Sequence, residues 1–233
     1  MLPWNKGVNI ICEKQGLIAV EKPCQVLSHP NDIKSNKSLL LAPYDMNREA
    51  YATKDGWVYL LNRLDAPTSG VLLLTRDVSI AKKVREAFNK HAIQKMYQAL
   101  VKGRCVLPKM ALWQDNLVTE NSRYLRTQCS RYGKASKVRV QCVQYLQTQG
   151  QVLSYLQLYP LTGRTHQLRV QCAQHHYPIL GDKTYGDFNL NRTLQAKRLY
   201  LHSKSIKIRY LDIDFEASTT GNLSDTFASD FLS

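Results

Sequence analysis

The sequence predicts an α+β fold with a mainly antiparallel mixed sheet, and three observations carry that prediction. Apolar runs of strand length outnumber segments with helical spacing, hairpin-sized turns separate many of them, and no internal repeat is visible. With 233 residues the chain can bury a sizeable core.

In chain order, residues 17–21 read as a first strand stopped by Lys22-Pro23, and residues 24–30 as a second extended piece ending in His29-Pro30. Residues 31–56 are rich in Asn, Lys, Ser and Asp and predict a long surface loop with at most a short helix. Two short apolar runs, 57–61 and 71–74, predict core strands on either side of the polar stretch 62–70. Ile80, Val84, Ala87 and Phe88 share one face of a helix over 79–88, with Asp77 or Ser79 as its N-cap. Residues 95–101 form a further strand. Residues 137–146 and 152–159 pair across a turn containing Gly150. The glycine turn at 160–167 leads into an amphipathic segment through Cys172 and Ala173. Residues 205–210 alternate cleanly, with Ile206, Ile208 and Tyr210 opposite Lys207 and Arg209. Residues 217–233, rich in Ser and Thr and without a basic residue, read as a flexible tail.

Charge narrows the function. Lys and Arg number 32 against 18 Asp and Glu, a net charge of +14 that points to a polyanionic partner, nucleic acid before an anionic membrane surface. No apolar run reaches the roughly 18 to 20 residues of a membrane span, and the first residues show no signal-peptide core. Six scattered cysteines without a C-x-x-C pair argue against a zinc site and fit free thiols in a reducing compartment. The histidines show no metal-ligand pattern, and His175-His176 reads as surface or capping residues. Between residues 121 and 141 stand Arg123, Arg126, Arg131, Lys134, Lys137 and Arg139 with no acidic residue, and Tyr124 and Tyr132 lie among them. Cations neutralise phosphates and aromatic rings stack on unpaired bases, so this segment is a candidate RNA surface; it is equally a solvated basic face.

Glycine-rich phosphate loops, H-E-x-x-H and G-x-S-x-G are absent. Asp65 between two core strands, Tyr97 within a strand and Arg164 in a glycine turn are the candidates for chemistry. A carboxylate kept ionised beside a guanidinium can act as a nucleophile rather than an acid. Spacing alone does not bring the three together, and Asp65 also fits a turn cap.

Asn62-Arg63-Leu64-Asp65-x-x-Thr68-Ser69-Gly70 resembles the H-R-L-D-x-x-T-S-G signature of the RluA family of RNA pseudouridine synthases. Four further segments agree in order. Residues 16–23 with His29-Pro30 resemble the family's opening strand pair, and residues 95–101 its K-x-Y-x-A-hydrophobic-V strand. Residues 161–170 with 178–186 resemble its G-R-T-H-Q-x-R-V…P-I-x-G-D-x-x-Y-G block, and residues 198–202 its R-L-x-L-H element. The likeness spans roughly residues 10–215.

The resemblance implies a pseudouridine synthase catalytic fold over residues 1–216, with a central RNA-binding cleft and no S4-type module. It implies a cofactor-free, metal-free isomerase that flips a uridine of tRNA or rRNA, in a loop of structured RNA, and rejoins its base through C5. A monomer in the cytoplasm, away from membranes, is expected. Asp65 matches the family's catalytic aspartate, Arg164 the arginine paired with it, and Tyr97 the tyrosine that stacks on the uracil and helps remove the C5 proton. Arg63 matches the arginine that enters the space left by the flipped nucleotide. Thr68, His166, Gln167 and Arg169 are expected to face RNA, together with Arg123, Arg126, Arg131 and Lys134 of the basic segment. Whether Asp65 attacks the ribose, attacks the base or first removes a sugar proton stays open. The alternative is a catalytically silent RNA-binding or RNA-folding protein on the same fold. Two departures stand out: Asn62 replaces the signature histidine and is expected to alter RNA contact or substrate choice, and Gln25 replaces a common glycine and is expected to change a turn.

Overall fold

A computed structural model describes residues 2–30, 37–121 and 125–231. In chain order the elements are β1 (Asn9–Lys14), β2 (Leu17–Lys22), β3 (Tyr44–Asp45), β4 (Ala50–Thr53), β5 (Gly56–Leu60), β6 (Ser69–Thr75), α1 (Val78–Asn89), β7 (Ile93–Lys102), β8 (Ala111–Asn121), β9 (Leu125–Cys129), β10 (Lys134–Thr148), β11 (Gln151–Pro160), α2 (Gln167–Gln174), α3 (Phe188–Thr193), β12 (Leu201–Tyr210), β13 (Ile213–Ser218) and α4 (Leu223–Phe231). The α+β class with a mostly antiparallel sheet is as the sequence predicts. Where one domain over 1–216 is expected, the chain divides into two compact units. The first is residues 1–95 with 203–220, and the second is residues 96–202 with 221–233.

In the first unit the strands run β3-β4-β5-β6-β12, with β2 also on β6, β1 on β2 and β13 on β12. The apolar run of β6 is explained by cover on both faces. Val71 and Leu73 join a cluster with Ala81, Val84 and Ala87 of α1 and with Ile206, Ile208 and Phe215 of β12 and β13. Leu72 and Leu74 join the opposite cluster with Leu39, Leu40, Tyr51 and Val58. A strand buried on both faces loses the period-two alternation, which is why the sequence shows an unbroken run. The α1 prediction holds, including its cap: the Asp77 carboxylate accepts from the amides of Ser79 (2.6 Å) and Ile80 (3.3 Å).

In the second unit the order is β7-β11-β10-β8-β9, with neighbouring strands antiparallel. One face of this sheet carries Ala99, Val101, Val138, Val140, Leu156 and Leu158, packed with Leu168 and Cys172 of α2. The other carries Leu100, Leu153 and Tyr155, packed with Leu190 of α3 and Leu223 and Phe227 of α4. The predicted β10–β11 hairpin forms, interrupted by an irregularity between Cys142 and Gln144.

Four expectations are corrected. The 31–56 loop contains the β3–β4 hairpin; its strands are two and four residues long, too short to show a period, and Tyr51 anchors them in the core. Residues 31–36 lie outside the described residues. Residues 24–30 form no strand beyond a bridge from Leu27 to Ser38, whereas β1, unforeseen, is an edge strand with little burial and hence a weak apolar signal. The segment after the glycine turn, α2, is not amphipathic, because residues 167–172 are all buried. The tail reading over 217–233 fails: the end of β13 and the helix α4 occupy this stretch. Leu223, Phe227 and Phe231 stand at i, i+4 and i+8 and so line one helix face, which the Ser, Thr and Asp around them obscured.

Candidate active site

The loop bearing Asp65 is clamped from several directions within the first unit. As β5 ends, Leu61 N–H still donates to Leu73 O (3.0 Å) across to β6. One residue later the backbone has turned away, and the Asn62 side-chain Oδ1 accepts from Leu73 N–H instead (2.7 Å). Asn62 therefore ends the strand pairing with a side-chain acceptor. Next, the buried Ser28 hydroxyl donates to Leu64 O (2.7 Å) and accepts from Leu64 N–H (2.9 Å). Ser28 is itself held by Tyr51, whose hydroxyl donates to Ser28 O (2.6 Å). Burial pushes the Tyr51 phenol far above its ordinary pKa, so it remains a donor.

Beyond Asp65, Ala66 O accepts from Gln25 N–H (2.7 Å) and from Lys22 Nζ (3.1 Å). Lys22 is 0% exposed, and its ammonium also donates to Pro23 O (3.0 Å) and Val26 O (2.7 Å). Thr68 N–H donates to Asp65 O (3.0 Å), closing the turn. Both neighbours of Asp65 are thus fixed by groups outside the loop, while Asp65 is half-buried and Arg63 is exposed. Buried polar groups fully engaged in this way make a rigid support for a reacting side chain. Gly70 is required here: at φ 115°, a Cβ would meet Ser203 O at 2.1 Å. Gln25 adopts φ 68°, the left-handed conformation that glycine takes most readily.

In the second unit, the loop bearing Arg164 is built around the buried Gln167. Its Oε1 accepts from Arg164 N–H (3.0 Å) and from the Thr162 hydroxyl (2.8 Å). Its Nε2 donates to Lys137 O (3.1 Å) and Gln171 Oε1 (3.0 Å). Gln167 N–H donates to Arg164 O (3.1 Å), so the Arg164 backbone is held at both ends while its side chain is exposed. His166 sits at the start of α2 in the left-handed conformation (φ 53°), with Nδ1 2.9 Å from the Tyr185 hydroxyl. Tyr185 also accepts from Thr127 N–H (2.9 Å).

The buried Arg169 forms a two-pronged pair with Asp182, Nε to Oδ2 at 2.7 Å and Nη2 to Oδ1 at 2.9 Å. Burial alone would raise the Asp182 carboxyl, but the Arg169 hydrogen bonds and charge, with the amides of Thr184 and Tyr185, outweigh it and hold the pKa below its ordinary value.

The candidates thus separate into groups. Arg63, Asp65 and Thr68 share one loop, though Thr68 is buried and turns inward. Arg164, His166 and Gln167 share another. Gln167 and Arg169 are buried and committed to protein partners, so they support the loop and do not face RNA, contrary to expectation. Tyr97 is half-buried on β7, opposite Leu158 and against the apolar cluster below α2. Arg126 on β9, Arg131 in the turn that follows and Lys134 at the start of β10 are exposed, and Tyr132, 80% exposed, lies under the Arg131 guanidinium at 4.6 Å. Arg123 and Tyr124 lie outside the described residues. His175 takes the capping role, as the C-cap of α2, and it also stacks on Trp113 at 4.3 Å and pairs with Asp115 at 3.1 Å. Among the described residues no group of three or more His, Cys, Asp or Glu is arranged to hold a metal ion, and no helix is long and apolar enough to cross a membrane.

Lys22 and Ser28 are the supporting residues that sequence reasoning missed. The role of Lys22 has no sequence signal, because its partners are backbone carbonyls, and only the fold brings Ala66 O to it.

The α+β scaffold carries Asp65 on a clamped loop of the first unit and Arg164 in a glycine turn of the second, and comparison with known proteins gives the class. Residues 16–174, more than half of the chain, match the family model described as RNA pseudouridylate synthase. The chain belongs to that family and is an isomerase acting on RNA. It is 28% identical over 220 residues to the tRNA pseudouridine synthase C of Yersinia pestis, covering 87% of this chain and 81% of that protein. Identity is 30% over 217 residues to the enzyme of the same name from Pectobacterium carotovorum subsp. carotovorum, with 87% of this chain but only 56% of the relative covered. It is also 30% over 212 residues to the ribosomal large subunit pseudouridine synthase D of Borreliella burgdorferi, covering 88% and 62%. The solved human RNA Pseudouridylate Synthase Domain Containing 1 shares the fold, with a TM-score of 0.77 at 22% identity over 99% of this chain and 91% of that one.

Proposed function

We propose that this protein converts specific uridines of tRNA or rRNA to pseudouridine, with Asp65 as nucleophile. The observation that carries the reading is the clamp on the 62–68 loop, in which Ser28, Gln25 and Lys22 of the 22–28 stretch hold Leu64 and Ala66 by side chains and backbone and leave Asp65 between them. The names of the similar enzymes, which cover tRNA and ribosomal RNA, support the substrate class. The target uridine lies in a loop, where a base is most easily unstacked and flipped. Arg63, exposed beside Asp65, enters the space the base leaves. Tyr97 stacks on the uracil and assists proton removal at C5, and Arg164 pairs with the carboxylate. The N1–C1′ bond breaks, the C5–C1′ bond forms, C5 loses a proton and N1 gains one. Atoms and electrons balance within the nucleotide, so the reaction needs no cofactor. The exposed Arg126, Arg131 and Lys134 grip phosphates, and the protein works as a monomer in the cytoplasm, where its cysteines remain thiols.

The test is conversion of uridine-containing tRNA and rRNA transcripts, read by mapping pseudouridine. Asp65→Ala should abolish product while leaving RNA binding largely intact. Unchanged turnover would remove Asp65 as the nucleophile, and an unaltered protein that binds these RNAs without converting any would favour an RNA-binding role.

A further inference from the structure

The helix α4 is tied at both ends to the strand that carries Tyr97. At its start, the first amide of the helix, Leu223 N–H, donates to Gln98 Oε1 (2.9 Å), and Gln98 Nε2 donates to Asn222 Oδ1 (3.1 Å). Gln98 therefore supplies from β7 the side-chain acceptor that a helix N-terminus ordinarily receives from its own cap. It is 2% exposed, so neither bond is exchanged readily for water. At the far end of α4, the Tyr200 hydroxyl donates to Asp230 Oδ2 (2.6 Å), and Tyr200 O accepts from Leu100 N–H of β7 (3.1 Å). Leu223 and Phe227 fill the space between, against Leu100, Tyr155 and Tyr200. Successive side chains of a strand point to opposite faces, so Gln98 faces α4 while Tyr97 faces the other way. A pull on Gln98 from behind fixes the rotation of β7 at Tyr97.

We infer that Gln98 is a positioning residue for the isomerisation, and that α4 is a brace holding Tyr97 in its reactive orientation. This rests on the role proposed for Tyr97. Misplacing a reacting group by even about 1 Å can cost on the order of 100-fold in rate, whereas RNA is held elsewhere by exposed cations. Loss of the brace therefore affects turnover and spares substrate binding.

The experiment compares kcat and KM on a tRNA or rRNA transcript that the unaltered protein converts, at a temperature where circular dichroism shows each variant folded. Gln98→Ala should lower kcat roughly 10- to 100-fold with KM unchanged. Asn222→Ala, on the exposed side of the same bond, should lower kcat in the same direction by a smaller factor and covers the case in which Gln98→Ala fails to fold. Asn222→Asp, which still accepts from Gln98 Nε2 and suits a helix start, should keep kcat near that of the unaltered protein. Because Gln98 acts through Tyr97, adding Gln98→Ala to Tyr97→Phe should lower kcat no further than Tyr97→Phe alone. The brace is overturned if the Gln98 and Asn222 variants keep full kcat beside an impaired Tyr97→Phe, or if the Gln98 loss multiplies fully with it. A Tyr97→Phe protein with unchanged kcat refutes instead the assignment of Tyr97 on which the brace depends.

Discussion

At Asn62 a carboxamide oxygen stands where the next backbone carbonyl of β5 would have been, and it accepts the Leu73 amide in the core strand. Asn62→Ala leaves that amide unpaired in a half-buried place and should destabilise the fold by about 1–3 kcal/mol, read as a lower denaturant midpoint at constant slope. Asn62→Asp keeps the acceptor and should cost less; equal losses in the two variants would mean the bond contributes little. Residues of this kind were the hard ones to read. Asp65, Tyr97 and Arg164 were visible in the sequence because each stands in a recognisable run. Gln167 and Arg169 stood in such a run too, and their burial was not visible, since nothing in a one-dimensional pattern separates a glutamine that faces solvent from one holding four bonds inside. Lys22 was hidden more deeply. A lysine beside a proline reads as a strand end, and its use as a buried donor to a carbonyl 44 residues away exists only after folding.

Among the elements, α2 is anchored by the pair between Arg169 and Asp182. Removing one partner strands a charge in the interior, so Arg169→Leu should cost about 3–5 kcal/mol. Arg169→Leu combined with Asp182→Leu should cost clearly less in thermal unfolding. The pair also sets a pH dependence. The Asp182 carboxyl is held below its ordinary value in the folded state, so its contribution is fully present above the unfolded pKa of about 3.9 and is lost as pH falls through the folded value. Asp182→Asn should flatten this acid limb, and an unchanged limb would show that other carboxylates govern it. Element by element, α1, β6, β7, β10 and β11 were legible because each carries enough apolar residues at one period, or a run with cover on both faces. The β3–β4 hairpin was too short to show a period, β1 too exposed to show an apolar face, and α4 too rich in polar residues for its three apolar positions to stand out.

For the whole molecule, the net charge of +14 was the plainest feature of the sequence, and its consequence is measurable. Binding to a tRNA transcript should weaken linearly in log–log form as salt rises, with a slope of roughly −0.7 to −0.9 per phosphate neutralised. Replacing Arg126, Arg131 and Lys134 with Ala should lower that slope by up to about 2 to 3, and an unchanged slope would take the β9–β10 surface out of the interface. The division into two units was not legible, because each is assembled from separated stretches and no linker composition marks the crossings at 95/96, 202/203 and 220/221. That threading bears on the order of synthesis. As the chain leaves the ribosome, the first unit still lacks Ile206, Ile208 and Phe215 of its core while residues 96–202 are being made. The second lacks Leu223 and Phe227 until after the first has received its final strands. Neither unit can close in turn behind the other, as consecutive domains do during translation. Both wait for the codons of residues 203–231, and a nascent chain paused before them exposes two open cores at once.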